Sequence, residues 1–425
     1  MAGKTKRKSE RELKPKLRFP EFDSAWTEEP LSESAKIINE KAGEKKCVFL
    51  SITSGVGLVS QQEKFGRTIA GKSYKNYYVI RRNDFAYNKS ATKEFPQGYI
   101  AMYSGDERAS VPNSIFTCFR VDEDELVPEY VDYLFHSNHH GRWLQNFITV
   151  GARAHGSLSV NDDDLLAMPV PRPTGKTSLA EQRKIAGCLS SLDELIGAES
   201  RKLEALQAHK KGLMQQLFPR EGETLPRLRF PEFKDAGEWE ERTLGELVEI
   251  RSGQSPSQYQ LDSAGKYPFV KVEDLNNCTK YQSVARQYSA DTNGLVPTGS
   301  IIFPKRGAAI ELNKLRLSER EILMDTNMMA LTPISTCHAE FLFYAICQIG
   351  LSSIADSSTI PQINNKHIIP FRVLVPTQPE QERIAACLTS HEFVVVAQSQ
   401  KLDALKTRKK GLMQQLFPSM EDAHA

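Results

Sequence analysis

The sequence predicts an α/β protein: two domains separated by a long antiparallel pair of coiled-coil helices, with a pseudo-twofold internal duplication. Three observations predict it. The ten residues KKGLMQQLFP of Lys210–Pro219 recur unchanged at Lys409–Pro418. LRFPEF occurs at Leu17–Phe22 and again at Leu228–Phe233. Between these anchors lie two dissimilar segments of about 140 residues, each a common size for one domain.

Residues 1–23 form a basic arm, with Lys4, Lys6, Arg7, Lys8, Arg11, Lys14, Lys16 and Arg18 crowded together. Such a run is either a solvated tail or an arm that lies on phosphates. No apolar core follows it, so it is not a signal peptide. No stretch of the chain is apolar for long enough to span a bilayer. The formal net charge is only +2, which by itself says nothing about nucleic acid. Seven cysteines without a C-x-x-C pair argue against a disulfide framework and for a reducing cytoplasm.

The first domain spans 24–172. It opens with Trp26 and a Leu31-x-Glu33 step, and it carries strand-like runs such as YYVIRR and SIFTCFRV. A short helix near its end, PEYVDYLFHSN, leads to His139–His140, which reads as a surface pair at a helix end. Gly, Ser and Asn punctuate the rest as turns, and a curved, largely antiparallel sheet is expected. Polar and basic residues fall in the expected loops: Lys72 and Lys75, then Lys89 and Ser90, then Arg153, His155 and Ser157. Lysine and arginine suit phosphates, while Ser, Asn, Gln and Arg can read base edges.

Residues 173–219 are the first copy of the shared helix. Lys202–Pro219 matches Lys401–Pro418 at 14 of 18 positions, and AEQRKIAGCLSS at Ala180–Ser191 answers PEQERIAACLTS at Pro379–Ser390. Ser178-x-x-Glu181 and Thr377-x-x-Glu380 both have capping-box form. Apolar residues then recur at heptad spacing: Ile185, Leu189, Leu192, Ile196, Leu203, Leu206, Leu213 and Leu217 in one copy, and Ile384, Leu388, Val395, Leu402, Leu405, Leu412 and Leu416 in the other. Glu199 and Gln398, like Lys210 and Lys409, interrupt both seams at equivalent places, as register-fixing polar residues of an antiparallel pair would. Each helix of roughly 40 residues would be about 60 Å long.

A linker at 220–238 leads to the second domain at 239–376, and 377–425 holds the C-terminal shared helix. The second domain repeats the Trp239, Leu244-x-Glu246 opening. Its candidate loop residues are Lys305, Arg306, Lys314, Arg316, Gln362, Asn364 and Asn365.

Catalytic signatures are missing. GKT at Gly175–Thr177 has Val170 where a phosphate loop needs glycine. There is no G-x-G-x-x-G after a strand, no nucleophile-elbow sequence and no Asn/Asp-Pro-Pro-aromatic motif. The chain by itself reads as non-catalytic and without a metal site.

Two variable domains, each followed by a near-identical helix begun by EQ..IA and ended by KKGLMQQLFP, resemble the specificity subunit of type I restriction–modification systems, and the LRFPEF lead-ins fit it too. The resemblance covers essentially the whole chain. It implies target recognition domains that each read one half of a split site in double-stranded DNA, held apart by the paired helices. It implies docking of two methyltransferase subunits and, in the full complex, of restriction subunits. S-adenosylmethionine, ATP and Mg2+ would then be used by those other subunits, in a bacterial or archaeal cytoplasm. The competing expectation is a coiled-coil scaffold that binds only proteins.

Overall fold

The computed structural model describes residues 13–53, 55–69, 71–148, 156, 158–356 and 359–418. The arm residues Lys4, Lys6, Arg7, Lys8 and Arg11, and the site candidates Arg153, His155 and Ser157, lie outside the described residues, as does the Lys72 side chain. The chain divides into two compact units. One comprises 1–199 with 401–425, the other 200–400. Each shared helix is therefore divided between them rather than standing as a segment of its own.

In the first unit, β1 (Trp26–Pro30) is followed by β2 (Ala35–Ile37), β3 (Val48–Thr53) and β4 (Gly57–Ser60). After α1 (Gln61–Phe65) come β5 (Tyr78–Ile80), β6 (Phe85–Asn88), β7 (Tyr99–Met102), β8 (Ala109–Val111) and β9 (Phe116–Val121). Helices α2 (Pro128–His136), α3 (His139–Leu144) and α4 (Asp162–Leu166) lead to β10 (Pro169–Pro173) and the long α5 (Ser178–Leu217). Two four-stranded sheets form, ordered β2-β9-β6-β7 and β4-β3-β8-β5, and β1 pairs with β10. Most pairs are antiparallel, but the expected single curved sheet is two smaller ones. Consecutive β6, β7 and β9 residues are buried, so both faces of these strands pack.

The second unit holds β11 (Glu240–Thr243), α6 (Leu244–Leu247), β12 (Val248–Ser252), β13 (Tyr267–Val270), β14 (Tyr281–Gln282), β15 (Gln287–Ser289) and β16 (Ile301–Pro304). It continues with α7 (Ala308–Glu311), β17 (Arg316–Ser318), β18 (Leu323–Met324), β19 (Met328–Pro333) and α8 (Ala339–Ile349). It closes with α9 (Asn365–Ile368), β20 (Arg372–Val375) and the long α10 (Gln378–Leu416). One sheet runs β12-β19-β16-β17-β14, a second runs β15-β13-β18, and β11 pairs with β20. The succession β12-β19-β16-β17 has the same chain order and sense as β2-β9-β6-β7, although the sequences have no evident match.

The repeated motifs assemble the same framework in each unit. In the first, the Leu17 N–H donates to the Gln415 carbonyl at 2.9 Å, near the end of α10. The Arg18 guanidinium grips both carboxylate oxygens of Glu181, at 2.7 and 2.8 Å. In the second, Leu228 N–H donates to Gln216 at 2.9 Å, and Arg229 grips Glu380 at 2.9 and 2.8 Å. Both glutamates are fully buried. The capping box expected at Ser178 is absent. The Ser178 hydroxyl donates to the Pro173 carbonyl at 2.6 Å, and the Glu181 N–H goes to the Thr177 carbonyl. Likewise the Glu380 N–H goes to the Thr377 carbonyl. The glutamates are conscripted by arginine because a buried carboxylate gains more from a bidentate cation than from one backbone N–H.

The neighbouring glutamines do related work. Gln182 accepts from the Val127 N–H at the start of α2, and Gln381 accepts from the His338 N–H at the start of α8, each at 2.8 Å. They satisfy helix donors that would otherwise be left unpaired. The repeated Phe-Pro endings are plugs. Phe417 packs 5.2 Å from the Tyr130 ring, and Phe218 packs 5.5 Å from Phe341 and 6.1 Å from Trp239.

The helices meet inside each unit. In the first, Asp193 of α5 pairs with Lys409 of α10 at 2.6 Å, and Glu199 pairs with Lys401 at 2.5 Å. As one helix advances the other retreats, so these segments are antiparallel. In the second, Lys210 pairs with Glu392, the positions that answer Lys409 and Asp193. Ile185, Leu189, Leu416, Leu217, Ile384 and Leu388 are buried in the unit cores, and Leu402 is also buried. Leu192, Ile196, Leu203, Leu206, Leu213, Val395, Leu405 and Leu412 are half-buried.

His139 and His140 correct the sequence reading. Both are fully buried, not on the surface. His139 Nε2 lies 2.6 Å from the Pro169 carbonyl and His140 Nε2 lies 3.3 Å from that of Gly98. Burial drives the pKa of each down to about 4, so both are neutral. Two apolar turns, Leu134–Phe135 before and Leu144 after, carry the pair inward.

Candidate nucleic-acid interface

A common backbone crossing organises the candidate residues of each unit. In the second unit, β16 delivers Lys305 as the first residue past the strand. Its N–H donates to the Asn327 carbonyl at 2.9 Å, just before β19. Its carbonyl accepts from Ile363 at 3.0 Å, and Gly307 donates to Pro361 at 3.0 Å. Arg306 bridges Gln362 across this crossing, and the Gln362 N–H is held by Asp356 at 2.9 Å. The crossing thus brings together Lys305, Arg306 and Gln362, with Asn364 following as the N-cap of α9 and Asn365 as its first residue.

The same crossing recurs in the first unit. Lys89 is the first residue past β6. Its N–H donates to Ile115, just before β9, at 2.9 Å. Its carbonyl accepts from Leu158 at 2.7 Å, and Ala91 donates to Gly156 at 2.5 Å. Lys89 and Lys305 therefore occupy one node of one scaffold. Ser90 follows, its N–H bound by the Asn88 side chain at 3.1 Å.

The side chains around the shared node differ. Lys89 lies 3.8 Å from Asp162, the first residue of α4, whereas the first residue of α9 is the neutral Asn365. Burial and then the adjacent Arg306 lower the pKa of Lys305. Arg306 is exposed, and its side chain has no hydrogen bond or ion pair among the described residues. Arg306, Gln362 and Asn365 together offer the donor and acceptor types that read base edges.

A further loop closes against this surface in the second unit. Gly253 N–H donates to Met328 at 3.0 Å and Gln254 N–H to Met324 at 2.9 Å. A Cβ at Gly253 would stand 1.9 Å from the Asp325 carbonyl oxygen, so only glycine permits this approach.

Other candidates are occupied elsewhere. Arg316 donates to the carbonyls of Cys278, Leu315 and Leu275 at 2.8, 2.6 and 2.6 Å, which makes it a tie within the fold. Lys314 binds the Asn276 side chain at 2.7 Å. Lys75 is ion-paired with Glu44, and that hydrogen bond raises its pKa. The sequence reading missed the two Arg–Glu grips. Their signal was present, since an arginine and a glutamate were each duplicated within matched motifs.

Comparison with known proteins finds likenesses of one kind. Residues 236–406 match the family model described as the type I restriction modification DNA specificity domain. The type I restriction enzyme MjaIX specificity subunit of Methanocaldococcus jannaschii is 22% identical over 373 residues, covering 80% of this chain and 82% of that one. The type I restriction–modification S subunit from M. genitalium has a similar fold, with a TM-score of 0.57 at 17% identity over 96% of this chain and 100% of that one. A chain from a structural study of assembly and conformational transition of the type I R-M system gives 0.58 at 20% identity, over 94% and 99%. Residues 236–406 thus match a type I restriction modification DNA specificity domain, and over most of its length the chain is similar to type I restriction enzyme specificity subunits.

Proposed function

We propose that this chain reads DNA sequence for a type I restriction–modification complex, each unit reading one half of a bipartite site. The observation that supports this most is the crossing shared by Lys89 and Lys305. One scaffold presents a lysine at the same node twice, surrounded by different side chains. A lysine there contacts a phosphate and fixes register, while the differing neighbours read different bases. Lys89 and Ser90 serve the first half-site. Lys305, Arg306, Gln362, Asn364 and Asn365 serve the second.

In this reading the units descend from one duplicated unit, and α5 and α10 form a single antiparallel coiled-coil spacer that sets the distance between half-sites. Two methyltransferase subunits dock on the helical framework, where Leu195, Phe393 and Val394 are exposed apolar residues. Restriction subunits complete the complex. This chain is non-catalytic, and S-adenosylmethionine, ATP and Mg2+ act through the other subunits in a prokaryotic cytoplasm.

The test is the methylation motif produced when the chain and its methyltransferase partner are expressed together, read by long-read sequencing. A motif of two defined parts with an undefined spacer is expected. Exchanging residues 30–170 for those of a relative should alter one part only. A continuous motif, or a change in both parts, would sink the reading. A complex with no salt-dependent affinity for DNA would favour the protein-only scaffold.

A further inference from the structure

A basic cleft of about 610 Å³ opens in the first unit, away from the crossing at Lys89. Three parts of the chain converge on it. The lead-in segment brings Lys16, the α2–α3 corner brings His136 and Arg142, and α10 brings Lys406, Lys409 and Lys410. Its lining contains no aspartate or glutamate.

Two of these cations are already committed. Lys409 is paired with Asp193 at 2.6 Å, and His136 Nδ1 lies 3.3 Å from Asp132. Burial works against a proton on His136, but Asp132 outweighs it and the net pKa is raised. The other four have no carboxylate partner among the described residues. Arg142 donates only to the Ser137 carbonyl, at 3.3 Å. Lysines near the end of α10 would complement its dipole, but that effect fades beyond the last turn and gives no reason for Lys16 and Arg142 to converge there. Like charges gathered in a concave site repel one another, and a bound anion removes that repulsion.

A short chain of contacts through the fold links the cleft to the recognition edge. Asn88, at the end of β6 and next to Lys89, pairs with Tyr99 of β7. The Tyr99 hydroxyl lies 3.2 Å from His136 Nε2, and His136 lines the cleft. At the corresponding helix end of the second unit the groove mixes charges, with Arg220 and Arg372 beside Glu221, Glu223 and Glu241. Phe218, Trp239, Ile349 and Phe371 also line it, and Gln207 of α5 stands where α10 has Lys406.

We infer that Lys16, Arg142, Lys406 and Lys410 form a phosphate-binding site that holds the DNA backbone beside the half-site read by the first unit. The site supplies affinity without sequence preference, and it makes the two units unequal in their grip on DNA. The inference rests on the DNA-reading function proposed above.

The experiment uses the full chain in its complex with methyltransferase subunits. Duplex binding is measured against salt concentration for the unaltered complex and for the Lys406→Gln/Lys410→Gln and Lys16→Gln/Arg142→Gln variants. Each lost phosphate contact should lower the slope of log K against log salt by about 0.9, hence by about 2 per double variant. The ratio of specific to non-specific affinity and the methylated motif should not change. Inorganic phosphate added at matched ionic strength should weaken the unaltered complex no more than the variants, because the ligand is the duplex and not a free anion. An unchanged slope, or an unchanged slope with lost subunit assembly, overturns the site. Absence of any salt-dependent binding by the unaltered complex would overturn the DNA-reading function instead.

Discussion

Substituting Arg229 with methionine strips a buried glutamate of its bidentate partner. Glu380 has 1% side-chain exposure, and Arg229 holds both of its carboxylate oxygens. A third Arg229 bond, to the Gly237 carbonyl at 2.6 Å, ties down the stretch leading to Trp239. Removing one partner of a buried pair costs about 3–5 kcal/mol, because the remaining charge is left in a low dielectric. For a unit of about 200 residues, 1 kcal/mol shifts the midpoint by roughly 2–4 °C. The unfolding transition of the second unit should therefore fall by roughly 6–20 °C. Arg229→Met/Glu380→Met should recover most of this, since two apolar side chains of similar volume replace the pair without an orphan charge. Calorimetry of the two single variants and the double supplies the cycle, and amide exchange at Leu228 assigns the transition to the second unit. Arg18→Met should do the same in the first unit. A loss below about 1 kcal/mol for Arg229→Met, or a double variant no better than the single, would refute the assignment of Arg229–Glu380 as a structural grip.

The other expectations concern buried bases. His139 and His140 have pKa values near 4 in the fold against 6.5 ordinarily, so the unfolded chain binds more protons between those pH values. Stability should fall as pH drops from about 6.5 to about 4 and flatten below, by roughly 3 kcal/mol per histidine. Urea unfolding of the His139→Asn and His140→Asn variants should show a shallower fall, and an equal fall would refute the burial account. Lys280 is 3% exposed and donates to Tyr344 and Thr389 at 3.0 and 2.7 Å, beside Glu340 at 3.2 Å. Burial lowers its pKa below 10.5 despite Glu340, so stability should rise with pH in the window just below 10.5. Lys280→Met should cost about 1–3 kcal/mol near neutrality and should abolish that rise; a rise of equal size persisting in the variant would show that another group carries it.

The repeated segments, the two long helices and the likeness to type I specificity subunits were legible because they are written in local and repeated sequence. A heptad seam needs only spacing, and a ten-residue identity needs no structure at all. The pairing of Lys89 with Lys305 was not legible. The loops around them differ in length and residue type, so no alignment links them. Their equivalence appears only when β6 and β16 pair with β9 and β19 and fix which residue comes first beyond the strand. The capping-box glutamates misled for a related reason. A local motif offered each carboxylate one N–H, but the fold brought an arginine from 163 residues away in one case and 151 in the other. The histidine pair read as surface because its burial depends on helix packing against β10 and β7, which no window of sequence contains.

The sequence by itself determined the framework: repeated helices, repeated lead-ins, and two segments free to differ. Tertiary structure decided which side chains share a surface. Strand pairing set the node at which each lysine stands, and it left Arg306 and Gln362 beside Lys305 while binding Arg316 into the fold. The physical reason is that hydrogen-bond register and burial are long-range. They are fixed only when distant strands and helices close on a common core, whereas periodicity and repetition survive in the order of residues alone.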